Sequence, residues 1–219
     1  MLGWLFPRPP VRTYEKAWVE YRLAWLDEKF GSPRLLNSEV VEPTSELLAT
    51  WGEADFSYRR VCELLQVDPG AMHFEVLPAE KMEDMQRHWD ASGDRPTLRL
   101  ADEQFSDPIG AIATLAHEVA RHKLVSRRLM PADDDALEWT SDVLACTSGL
   151  GIFIANSMVA FPASTTDWKW WHAARYHHLP VDAVGYALAV ITWLRGERAP
   201  SWVRHLRLDA REPRLKGLR

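Results

Sequence analysis

Residues 109–142 read IGAIATLAHEVARHKLVSRRLMPADDDALEWTSD, and the fold of this stretch decides how the rest of the chain is read. Asp107-Pro108 opens it as a helix, with Asp107 at the cap and Pro108 at the first helical position, where a missing N–H costs little. Inside that helix stand His117, Glu118, Arg121 and His122. Side chains four apart lie about 40° apart around a helix of ~3.6 residues per turn, so His117 and Arg121 share a face. His122 falls about 140° from His117, on a different face. Only a π-bulge between them would bring it into register; such bulges are rare but cluster at functional sites. On the next helix, Glu138 and Asp142 share a face, and the 21-residue step from His117 to Glu138 suits helix, loop and second helix. Asp133-Asp134-Asp135 reads as the acidic start of that second helix, complementing its dipole.

A catalytic zinc needs three protein ligands and one open position for water. Two ligands at i and i+4 on one helix, with a Glu beside the first to deprotonate the water, leave the third ligand to another helix. His117-Glu118-Val119-Ala120-Arg121, followed by Glu138-Trp139-Thr140-Ser141-Asp142, resembles the two-helix zinc site of the gluzincin metallopeptidases, the thermolysin-like branch of the zincins. The resemblance implies His117 and Glu138 as zinc ligands, Glu118 as general base and Asp142 as the carboxylate that braces a ligand histidine. The pattern departs at Arg121, which stands where the second histidine belongs. Arginine stays protonated and has no lone pair for a metal. His122 is the obvious substitute, on the wrong face of a regular helix. The more economical expectation is that Arg121 replaces the metal and pairs with Glu138 or Asp142.

The segments WVEYRLAWLDEKFG, RRVCELLQVDP, SGLGIFIANS and VGYALAVITWLRG resemble uncharacterised bacterial proteins of about this length, in which the second histidine is usually intact. That resemblance spans most of residues 13–205 and implies the fold without a substrate. Zincins also place a downstream His or Tyr over the cleft to stabilise an oxyanion. His172, Tyr176, His177, His178 and Tyr186 are candidates here. Against that stands packing or surface placement of the three histidines in an aromatic-rich loop. The short strand Thr97 to Leu100 precedes the His117 helix, and the resemblance implies it as an edge strand that pairs with extended peptide.

Working outward, Thr13 to Phe30 reads as an amphipathic helix with Thr13 as N-cap, stopped by Gly31 and Pro33. Val40 to Pro43 reads as a short strand, residues 56–66 as a helix, and Asp68-Pro69-Gly70 as a turn. His73 to Leu77 alternates like a strand, and Lys81 to Arg87 reads as a helical turn or an irregular connection. Residues 133–160 read as one long helix or two, with Gly149 and Gly151 as the break; Val181 to Leu194 is a last apolar helix.

The expectation is an α+β, zincin-like fold in one domain over residues 1–219. It has a mixed half with short strands (13–106), a helical half (107–195) and a basic C-terminal tail (196–219). At 219 residues such a chain buries about 70% of its unfolded surface. The net charge of −5 gives no general affinity for nucleic acid. The stretch 204–219 carries six Arg or Lys against Asp209 and Glu212, the mark of a solvated tail. Cys62 and Cys146 sit in apolar helical patterns as free buried thiols, which fits a reducing cytoplasm. Residues 143–166 hold no charged side chain, yet Thr147, Ser148, Asn156 and Ser157 interrupt them, so a buried core helix is expected over a membrane span.

Three functions compete. The first is a degenerate metallopeptidase, catalytically impaired, with zinc absent or weakly bound, acting on a protein or peptide partner by binding. The second is an active zinc-dependent hydrolase with Glu118 as base. The third is a membrane-associated helical protein.

Overall fold

A computed structural model describes residues 11–82, 87–90, 93–159 and 179–207. The first helix, α1 (Thr13–Phe30), begins one residue earlier than its cap was read. Arg12, not Thr13, is the N-cap, and Glu15 reaches back to the Arg12 backbone N–H at 3.0 Å. An acidic residue three positions into the helix outweighs the hydroxyl because it meets both an orphan donor and the positive helix end. Gly31, at φ +84°, ends α1, and its N–H donates to Asp27 O. Two short helices follow, α2 (Ser32–Asn37) and α3 (Ser45–Thr50); the second is capped by Thr44 Oγ1, which accepts from Leu47 N at 3.2 Å. α4 (Ala54–Leu65) is amphipathic and buries Tyr58, Val61, Cys62 and Leu65.

The 38–44 segment is not a strand. Its one ladder-like bond runs from Val41 N to Gly149 O at 3.0 Å, so the β-branched pair Val40-Val41 packs as an extended tie rather than joining a sheet. The sheet is built from β1 (His73–Leu77), β2 (Arg87–Asp90) and β3 (Thr97–Ala101), in the order β1-β3-β2. β1 runs parallel to β3, with His73 opposite Thr97, and β2 runs antiparallel, with Trp89 opposite Leu98. β3 is therefore the central strand, and its reading as an edge is corrected. Leu98 and Leu100 are fully buried, as a strand paired on both sides requires. Among the described residues β1 and β2 are the outer strands. Of the connection read at Lys81 to Arg87, Lys81 closes a 3-10 turn (Ala79–Lys81) and Arg87 opens β2; residues 83–86 lie outside the described residues.

The helical half centres on α5 (Pro108–Ser126), which packs against α4, α6 (Leu137–Ala145) and α7 (Gly151–Val159). Asp107 occupies the cap of α5 but its side chain makes no capping bond. α6 starts at Leu137 rather than at Asp133: Asp134 Oδ1 accepts from Ala136 N at 2.8 Å, and this turn sets the helix start. One π turn, Cys146–Leu150, separates α6 from α7, with Gly149 at φ +90°. A Cβ at Gly149 would lie 2.0 Å from Glu39 O, so only glycine lets the 38–44 tie approach. The last helix, α8 (Val181–Leu194), covers α1 and α7. Hydroxyls buried in this half bond to carbonyls of their own helix: Thr140 to Ala136 O, Ser141 to Leu137 O, Ser148 to Leu144 O. Among the described residues no helix is long and apolar enough to cross a membrane. The hydrophobic core is shared by both halves, from Leu23 and Val61 to Leu98, Leu115, Phe153 and Leu188.

Candidate functional site

The helices α5 and α6 bring His117, Arg121, Glu138 and Asp142 together. His117 is wholly buried, held between two carboxylates. Its Nδ1 lies 2.8 Å from Asp142 Oδ1, and its Nε2 lies 2.8 Å from Glu138 Oε2. Asp142 is itself fully buried, and its Oδ2 accepts from the backbone N–H of Leu179 at 2.9 Å. The second oxygen of Glu138 accepts from Arg121 Nε at 3.1 Å. Of the two pairs expected for Arg121, the one present is with Glu138.

A carboxylate only accepts hydrogen bonds, and a neutral imidazole has a single N–H. His117 donates to both carboxylates only as an imidazolium; as a neutral ring it donates to one of them.

Trp89, on β2, stands over this arginine. Arg121 Cζ is 5.5 Å from the Trp89 ring centroid, and the His122 ring is 5.7 Å from it. Nothing in the sequence around 87–90 marks Trp89 as part of the site: RHWD shows no alternating pattern, and its strand forms only by pairing with the distant β3. α5 is an unbroken α-helix through this region, so no bulge brings His122 round to His117. His122 is buried against Trp89, and desolvation pushes its pKa down. Glu118 is buried on α5 next to His117.

Tyr186 turns its hydroxyl to α1, where it donates to Glu20 Oε1, with Lys16 Nζ 5.5 Å from the ring centroid. Burial, and then the bond to Glu20, push its pKa up. His172, Tyr176, His177 and His178 lie outside the described residues, as does the tail beyond 207.

Arg121 brings no lone pair for a metal to the α5–α6 pair. Among the described residues no group of three His, Cys, Asp or Glu is placed to hold a metal ion. What α5 and α6 present instead is two donors, His117 Nε2 and Glu138, bonded to each other, and a guanidinium at the third position. No protein-family model, curated protein or solved structure matches this chain.

Proposed function

We propose that the chain is a zincin-fold, metallopeptidase-like protein in which Arg121 holds the place of the metal, and that it acts by binding a peptide or protein partner rather than by hydrolysis. The observation that carries this reading is Glu138, whose two carboxylate oxygens are both engaged, one by His117 Nε2 and the other by Arg121 Nε. His117 Nε2, bonded to that carboxylate, would have to give up the bond before its lone pair could reach a metal. Arginine cannot replace the metal chemically: it offers hydrogen bonds and charge, but it does not lower the pKa of a bound water to about 7 as zinc does. Glu118 then has no activated water to deprotonate.

Metal analysis of the purified protein tests the reading. The wild-type chain is expected to bind zinc weakly or not at all, and Arg121→His to take up about one zinc per chain, because it restores the third ligand of a three-ligand site. Stoichiometric zinc in the wild type, lost on chelation and in His117→Ala, would establish the active hydrolase instead.

A further inference from the structure

Arg121 has donors to spare. A guanidinium carries five N–H groups, and the single one on Nε is directed at Glu138. Neither terminal Nη nitrogen has a hydrogen-bond or ion-pair partner among the described residues. Nor are these nitrogens sealed in. The Arg121 side chain is 17% exposed, and its nitrogens are not among the buried polar atoms that lack a partner. Trp89 covers the guanidinium from one side, and Glu138 takes the Nε position. The edge left open is the one with two near-parallel N–H bonds, from Nη1 and Nη2, which is the fork that pairs with a carboxylate through both oxygens.

We propose that the Nη1–Nη2 edge of Arg121, backed by Trp89, is a binding site for a carboxylate of a peptide. The inference rests on the reading of a metal-free binding cleft and names what that cleft recognises. Charge selects the ligand class. Glu138, bonded to Arg121 Nε, repels an incoming anion, and least so one of single charge. A phosphate dianion would meet about twice that repulsion at the same distance. Trp89 adds a flat apolar wall against which the carbon skeleton next to the carboxylate can pack. A metal-bearing cleft polarises a peptide carbonyl; this one would hold a group that is already an anion.

The test uses full-length protein with chelator present throughout and calorimetric titration of three acetylated peptides. One is Ala-Ala-Phe as the free acid, one is the same peptide as its C-terminal amide, and one is amidated Ala-Ala-Glu, whose only carboxylate is on a side chain. The expected result is binding of the free acid, of the Glu peptide, or of both, with the amidated Phe peptide weaker by about tenfold or more. The relative strength of the first and third peptides tells a chain terminus from a side chain. Arg121→Lys, which keeps the charge but removes the fork, should weaken binding by about tenfold. Trp89→Leu, which leaves the hydrogen bonds among His117, Glu138 and Arg121 in place, should weaken it several-fold, and it keeps the proposal testable if the arginine variant does not fold.

Neither carboxylate peptide binding more tightly than the amidated Phe peptide, unchanged binding in Arg121→Lys or Trp89→Leu, or no binding of either carboxylate up to about 5 mM would overturn the proposal. In those cases the metal-free reading stands or falls separately, on zinc uptake by Arg121→His. Binding that appears only when chelator is left out and zinc is added would overturn both.

Discussion

At the scale of single residues, Asp142 decides which proton His117 carries. Both of its oxygens face donors, His117 Nδ1 at 2.8 Å and Leu179 N at 2.9 Å. The backbone N–H of Leu179 can only donate. In Asp142→Asn the amide oxygen must therefore stay on Leu179 and the NH2 group must face the imidazole. His117 Nδ1 then has to accept, and the ring carries its proton on Nε2 alone, where it donates to Glu138. We expect Asp142→Asn to fold with a loss of about 1–3 kcal/mol, through the weakened buried bond and the lost charge. Nitrogen-15 NMR of the His117 ring should show the Nε2–H tautomer in the variant. An Nδ1–H ring that persists would show that Asp142 does not set the tautomer. The resemblance implied Asp142 as the brace of a histidine, and the four-residue step from Glu138 placed both on one face. The sequence held no trace of Leu179 as the second partner, because a backbone N–H reached across the fold has no residue signature.

At the scale of elements, legibility follows how local the pattern is. α1 and α8 are long runs of good helix formers, and the boundaries at Thr13, Phe30, Val181 and Leu194 are as the sequence predicts. β2 has no such local signal. Arg87, His88, Trp89 and Asp90 have no β-branched residue and no alternation, and pairing with β3 alone makes them a strand. Missing β2 turns β3 from a centre into an edge, and it also hides Trp89, the aromatic cover of the site. The opposite error occurs at Val40-Val41, where β-branched residues have strand propensity but no partner strand. The π turn between α6 and α7 gives a prediction at this scale. Gly149→Ala combines φ +90° with a Cβ 2.0 Å from Glu39 O and should cost about 3 kcal/mol or more. Gly196, at φ +69° with nothing within 4 Å, isolates the backbone part, and Gly196→Ala should cost only about 1 kcal/mol. Urea denaturation of the pair separates the two contributions. Equal losses would mean that the approach of Glu39 can relax.

At the scale of the molecule, the early segment is fastened to the end of the described chain. Glu42 Oε2 lies 2.9 Å from His205 Nε2 and 3.2 Å from Arg204 Nη2, and Glu42 Oε1 accepts from Ser201 Oγ at 3.2 Å. Asn156 completes the fastening, donating to His205 O at 2.8 Å and accepting from Arg207 N at 2.9 Å. Burial acts upward on the Glu42 carboxyl, but the bonds from Ser201 and His205 and the charge of Arg204 outweigh it, and its pKa is lowered. A carboxyl lowered by folding stabilises the native state above its unfolded pKa, and that contribution is lost as pH falls through the folded value. Glu42→Gln should therefore lower stability near neutral pH and converge with the wild type below about pH 4. Solvent screening at this site holds the difference to less than about 1 kcal/mol. Thermal denaturation from pH 3 to 7 checks it; a difference that grows in acid would have the wrong sign.

The contact between Arg121 and Glu138 has one more consequence for the whole protein, on the reading proposed above. A zinc site is completed after synthesis, from whatever metal the surroundings provide, and can be emptied again by a chelator or filled by a competing ion. A guanidinium on α5 arrives with the chain itself. The cation at the centre of this fold would then be a matter of translation and not of supply. The protein would be equally complete in metal-starved and metal-rich conditions, and indifferent to the stripping agents that inactivate metal-dependent hydrolases.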